Sequence, residues 1–209
     1  MEKETILNAF PAGLRQEVGK VIEILPAEKS VLHADGQFYN MSDSINSYEQ
    51  IMSLDKELLR IPYRIYINEP SLDNEILLSD LQKTILNCIY LRHNNGFIRQ
   101  RRLELLINKT DYFVVAFTFQ LLGEYVMEIL EVINKLINEK TLTLYVRFIN
   151  ENPKYWQQTE SRVISYWDAY YRRSQYPAYL PPKYATRKEY IGEKIIERLK
   201  KAIEQQTVF

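Results

Sequence analysis

The chain predicts a mainly α fold, either an irregular helical bundle or a short α–α superhelix, with a small β-hairpin or edge strand in its N-terminal third. Apolar residues recur at helical spacing across residues 79–138, separated by very short polar turns. Only 6 of the 209 residues are glycine. Hydrophobic content of 46% and charged content of 26% are ordinary for a globular chain and argue against global disorder.

The first element is a short amphipathic helix through Leu14, Val18, Val21, Ile22 and Leu25, ended by Pro26. Asp35-Gly36 between VLHA and QFYN predicts a hairpin, because a type I′ turn needs positive φ at both central positions. Residues 42–60 carry spaced apolars (Ile45, Tyr48, Ile51, Met52, Leu54, Leu58, Leu59) in a polar background and predict a partly helical segment. Ile61, Tyr63, Ile65 and Ile67 alternate with other residues, which predicts a strand pairing with the hairpin. Pro62 assigns that strand to an edge. The turn-rich residues 68–74 mark a subdomain boundary.

Ser79 and Gln82 have the spacing of a capping box, and Leu81, Ile85, Cys88, Ile89 and Leu91 follow on one helical side. His93-Asn94-Asn95-Gly96 stops that helix. The next spans residues 97–107, with Ile98, Leu105 and Leu106 directed to the core. After the polar break Asn108-Lys109-Thr110-Asp111, residues 112–122 are almost continuously apolar, which fits a buried helix or a buried strand; the helical neighbours and short turns predict a helix covered on most sides. Gly123 marks a bend or a close crossing. Val126, Ile129, Leu130, Ile133, Leu136 and Ile137 then repeat at helical spacing, with Glu124, Glu128, Glu131 and Lys135 opposite. Two helices in about 35 to 45 residues is the rhythm of helical-hairpin stacks. On the stretch GFIRQRRLELLINKTDYFVVAFTFQLLGEYV the chain resembles HEAT and armadillo repeat proteins, over less than a third of its length and without a residue-specific signature. A plain irregular bundle accounts for the same pattern.

Leu142, Leu144, Val146 and Phe148 alternate as in a strand, while their flanks predict a short helix. Asn152-Pro153 opens another, capped by Asn with Pro in the first turn, in which Trp156, Val163, Ile164, Trp167 and Tyr171 face inward. Pro177, Pro181 and Pro182 make residues 174–185 an extended belt. Thr186 and Glu189 form a second capping box before a final helix with Ile191, Ile195, Leu199 and Ala202 or Ile203 inward. The organisation read from these elements is a single domain, 1–209, with an N-terminal subdomain 1–74, a helical core 75–172, the belt 174–185 and a C-terminal helix 186–206.

A single cysteine excludes an internal disulfide framework and fits a reducing compartment. MEKETILNAF lacks the order of a signal peptide, and the run at 112–122 is too short to span a bilayer. A cytoplasmic protein without a membrane partner follows as the expectation. Net charge is zero, yet residues 154–201 hold eleven Lys/Arg against five Asp/Glu, whereas residues 1–60 hold six against ten.

No phosphate loop, nucleophile elbow, Cys-x-x-Cys or His-Glu-x-x-His is present, and no catalytic residue, cofactor or metal is predicted. His33 and His93 are too few for most histidine metal sites, and Asp35 is explained by the hairpin turn. Cys88 reads as a buried small hydrophobe, and the ridge Glu124, Glu128, Glu131 as a solvated face that lacks the Glu-x-x-His partner helices of a carboxylate metal site. Two groups remain as partner-binding candidates. Arg99 and Arg102, near Arg101, follow a tight turn and form one patch, against the plainer reading of a salt-bridged surface. Trp167, Tyr170, Tyr171, Arg172 and Arg173 form the other, within a wider run of tyrosine, tryptophan and arginine. Tyr, Trp and Arg are the usual anchors of protein interfaces, and aromatics interleaved with arginine also suit nucleic acid. The leading expectation is a non-enzymatic protein that binds a protein partner or itself; the alternative is a nucleic-acid binder using the basic C-terminal third. A helical-repeat enzyme holding a damaged base with Trp156, Trp167 and Asp168 rests on fold analogy alone.

Overall fold

The computed structural model describes residues 2–26, 32–34, 37–39, 45–46, 48–172 and 186–207, without the side chains of 2, 3, 32–34, 37–39 and 207. It is mainly helical, with small antiparallel β-hairpins in the N-terminal third. The chain divides into two compact units, Met1–Lys109 and Thr110–Phe209. The division falls in the polar break within residues 79–138. The turn-rich residues 68–74 lie inside the first unit.

In the first unit, α1 (Glu2–Leu7) and α2 (Arg15–Glu23) pack together, burying Ile6, Ala9, Phe10, Val18 and Val21. The sequence reading has no helix at α1, whose apolar residues are too few for a stripe. Strands β1 (Leu32–Ala34) and β2 (Gln37–Tyr39) pair antiparallel with Ala34 opposite Gln37; the Asp35-Gly36 turn lies outside the described residues.

A second hairpin, β3 (Glu49–Leu54) and β4 (Glu57–Pro62), overturns the partly helical expectation for residues 42–60. Met52, Leu54, Leu59 and Ile61 alternate inward, and Asp55 and Lys56 make the turn at φ 52° and 69°. The expected strand at 61–67 is reduced to its first two residues. They pair with β3 rather than with β2, and Tyr63 is exposed while Ile65 and Ile67 are buried.

Helix α3 (Leu72–Ile76) is capped by Ser71, whose Oγ accepts from Asn74 N–H. Helix α4 (Asp80–Tyr90) has the full capping box: Ser79 Oγ accepts from Gln82 N–H at 3.2 Å, and Gln82 Oε1 from Ser79 N–H at 2.9 Å. It buries Ile85, Leu86, Cys88, Ile89 and Tyr90 and packs on α2. Helix α5 (Gly96–Glu104) starts one residue early, because Asn95 is its cap and accepts from Phe97 N–H at 2.9 Å. Leu103 and Leu106 fill the core; Leu105, expected there, is exposed.

The second unit holds α6 (Tyr112–Phe119), α7 (Met127–Leu136), α8 (Leu142–Glu151), α9 (Pro153–Tyr166) and α10 (Ile191–Thr207). A 3₁₀ turn, Gln120–Gly123, follows α6. From Phe113 to Phe119 every residue of α6 is buried, as its unbroken apolar run requires. Phe119 is ringed by Phe148, Tyr155 and Trp156 with centroids 4.9, 5.6 and 6.1 Å away. Thr118 Oγ1 and Tyr145 OH satisfy each other inside this core at 2.7 Å. Pro153 occupies the first turn of α9, but Asn152 does not cap it; its Nδ2 donates back to Phe148 O at 2.9 Å. Ile164, expected inward, is exposed.

Past Tyr166 the helix widens into a π-helical stretch, Trp167–Arg172. The belt 174–185 lies outside the described residues. Thr186 and Glu189 form their capping box on a 3₁₀ turn, Arg187–Glu189, directly before α10. Gly192 lets α10 pass Tyr190 closely, since a Cβ there would stand 2.6 Å from the tyrosine ring.

Candidate binding surfaces

Arg99 and Arg102 do not form a surface patch. Both lie inside the first unit, 6% and 5% exposed. Three residues apart on α5, they share the inward side with Leu103 and Leu106, and Arg101 is the arginine that faces out. Arg102 is the hub of an ion-pair network. Its Nε donates to Glu69 Oε1 at 2.6 Å, and Nη1 and Nη2 donate to the two oxygens of Glu75 at 2.8 and 2.5 Å. Nη1 also reaches Asn87 Oδ1 at 3.2 Å, and the guanidinium lies 5.1 Å from the centre of the Tyr90 ring. Arg101 pairs with Glu69 as well. Burial alone would raise the Glu69 carboxyl, but the two arginines hold it below its ordinary value. Tyr90 OH donates to Asn68 O at 2.5 Å. The network thus fastens residues 68–75 onto α4 and α5.

Beside it, Arg99 Nη1 donates to the carbonyls of His93 and Asn94 at 2.8 and 3.0 Å, closing the turn before α5. His93 Nδ1 accepts from Asn95 N–H at 3.0 Å, which requires the neutral ring. Burial, with the Arg99 charge adding to it, pushes the imidazole down to about 4.

The C-terminal candidates have a different setting. Tyr170 is exposed, and its ring stacks on Tyr125 with centroids 4.7 Å apart and planes 17° from parallel. Tyr166 meets Tyr125 edge-on at 5.9 Å. Tyr171 is half-buried; its OH donates to Tyr125 O and its ring lies 5.1 Å from Tyr190. Arg172 is exposed, bonded to Asp168 Oδ1 at 2.8 Å and held 5.7 Å from the half-buried Trp167 ring. Arg173 lies outside the described residues. Tyr125, absent from the sequence candidates, joins the group from the turn before α7; a lone tyrosine between Glu124 and Val126 carries no signal that could have placed it there.

The ridge Glu124, Glu128, Glu131 is not one face. Glu128 and Glu131 are exposed on α7, whereas Glu124 precedes the helix and is buried. Cys88 is fully buried on α4. In the first unit, Leu72, Ile76 and Leu77 around α3 and Phe97 and Leu105 along α5 are exposed apolar residues flanking the arginine network. No helix among the described residues is long and apolar enough to cross a membrane. Comparison of the chain with protein-family models, with curated proteins and with solved structures found no match.

Proposed function

We propose that the chain binds another protein through the surface formed by Tyr125, Tyr166, Trp167, Tyr170 and Arg172. The observation that carries this reading is the Tyr125–Tyr170 stack, with 47% and 54% of the two residues open to water. Large rings fixed by each other lose little rotamer entropy on binding, and their hydroxyls remain available, which is why tyrosine anchors interfaces. A protein partner is favoured over nucleic acid because Arg172 is already neutralised by Asp168. The surface therefore offers rings and hydroxyls more than uncompensated positive charge, and the whole chain carries no net charge.

The test uses the full chain as bait against extract of its native cell, beside the double variant Tyr170→Ser/Arg172→Glu. Proteins retained by the wild type and lost by an equally stable variant support the surface. Equal retention by both overturns it. Sedimentation of both proteins identifies the case in which the partner is a second copy. Fluorescence anisotropy with labelled oligonucleotides reads the competing class, and salt-sensitive binding lost in the same variant would replace the protein reading.

A further inference from the structure

Within the second unit, a groove of about 770 Å³ runs between the start of α8 and one side of α10. That volume is in the range of small-molecule sites. Leu142 and Ala202 supply its apolar lining, and Lys188, Lys194, Arg198 and Lys201 its cations. Positions 194, 198 and 201 follow the i, i+4, i+7 spacing, so one stripe of α10 points three positive charges along the groove.

Of the two carboxylates at the groove, one is engaged elsewhere. Glu193 is bound by Arg187 at 2.5 Å; Glu197, 3.9 Å from a Lys200 that Glu160 already holds at 2.9 Å, stays exposed and offsets one of the four lining cations. Among the described residues, none of the four lining cations has a carboxylate within ion-pair distance. Arg198 is the most telling. It is half-buried, Nη2 donates to the carbonyl of Asn134 at 3.2 Å, and its Nε is buried with no acceptor. A guanidinium drawn out of water without an anion is unfavourable, and burial works against its charge.

We propose that this groove binds a small phosphate-bearing ligand, with Arg198, Lys194 and Lys201 around the phosphate and Leu142 and Ala202 beneath the rest of the molecule. Phosphate suits the site because a doubly charged group with several acceptor oxygens can satisfy a guanidinium and two ammonium groups at once. The site does not involve the tyrosine surface, and neither reading depends on the other.

Isothermal titration calorimetry of the full chain, with inorganic pyrophosphate, adenosine diphosphate and adenosine as probes, tests the proposal. Saturable one-site binding of either phosphate probe is expected, with none for adenosine. Tighter binding of the nucleotide than of pyrophosphate would show that the apolar lining takes part; equal binding would show that the phosphate suffices. Lys194→Glu/Lys201→Glu replaces exposed side chains and should weaken binding at least about tenfold with unchanged circular dichroism. Arg198→Gln should do the same. No saturable binding of either phosphate probe, or binding undiminished in the double variant, overturns the site.

Discussion

Arg102 is the residue on which the first unit's polar interior depends. Removing it would leave the carboxylates of Glu69 and Glu75, each about one-fifth exposed, without their main partner. Arg102→Met should therefore cost about 3 to 5 kcal/mol, read as a shift in the urea midpoint. Lysine keeps the charge but cannot hold Glu75 with two parallel bonds, so Arg102→Lys should fall between. Arg102→Met/Glu75→Gln should be less destabilised than Arg102→Met, since one stranded charge is gone. Equal stability of Arg102→Met and the wild type would show that the network contributes nothing. None of this could be read from the sequence, because Glu69 and Glu75 stand 33 and 27 residues before Arg102 and only the fold brings them there.

Among the elements, the hairpin β3–β4 shows what local reasoning misses. Its turn is Asp-Lys, without the Asn or Gly that announces a type I′ connection, and the adjacent pairs Ile51-Met52 and Leu58-Leu59 blur the alternation. Where chemistry and pattern agree, legibility was high. The capping boxes at Ser79 and Thr186, the covered helix α6 and the stripe of α7 all stand where the residues place them. The tyrosine surface was legible only in part. Tyr170 and Arg172 were within reach, whereas Tyr125 is 45 residues away from Tyr170 along the chain. The turn itself yields a prediction. Lys56 sits at φ 69°, a left-handed conformation costly to a residue with a Cβ. Lys56→Gly should stabilise the protein by about 1 kcal/mol, visible as a higher urea midpoint, and an unchanged or lower midpoint would count against this turn geometry.

For the molecule as a whole, acidity should loosen the fold before it reaches the ordinary carboxylate range. His93 titrates near 4 in the folded chain against 6.5 when unfolded, so the unfolded chain takes up its proton first. The stability tied to the neutral ring is complete above the unfolded value and is lost as pH falls from 6.5 toward about 4. Between pH 7 and pH 5 the loss should be about 2 kcal/mol, and His93→Gln should flatten that slope. Glu69, held below its ordinary value, contributes stability above that value and adds a further loss at still lower pH. Parallel slopes for the wild type and His93→Gln would remove His93 as the cause.

The chain carries two tryptophans, and the fold gives them opposite circumstances. Trp156 is buried beside Phe119, while Trp167 sits half-covered under Arg172 at the edge of the tyrosine surface. Intrinsic emission is therefore a mixture of a shielded and a quenchable component. With Trp156→Phe, what remains is a native optical probe at the proposed interface, which reads occupancy without any attached dye.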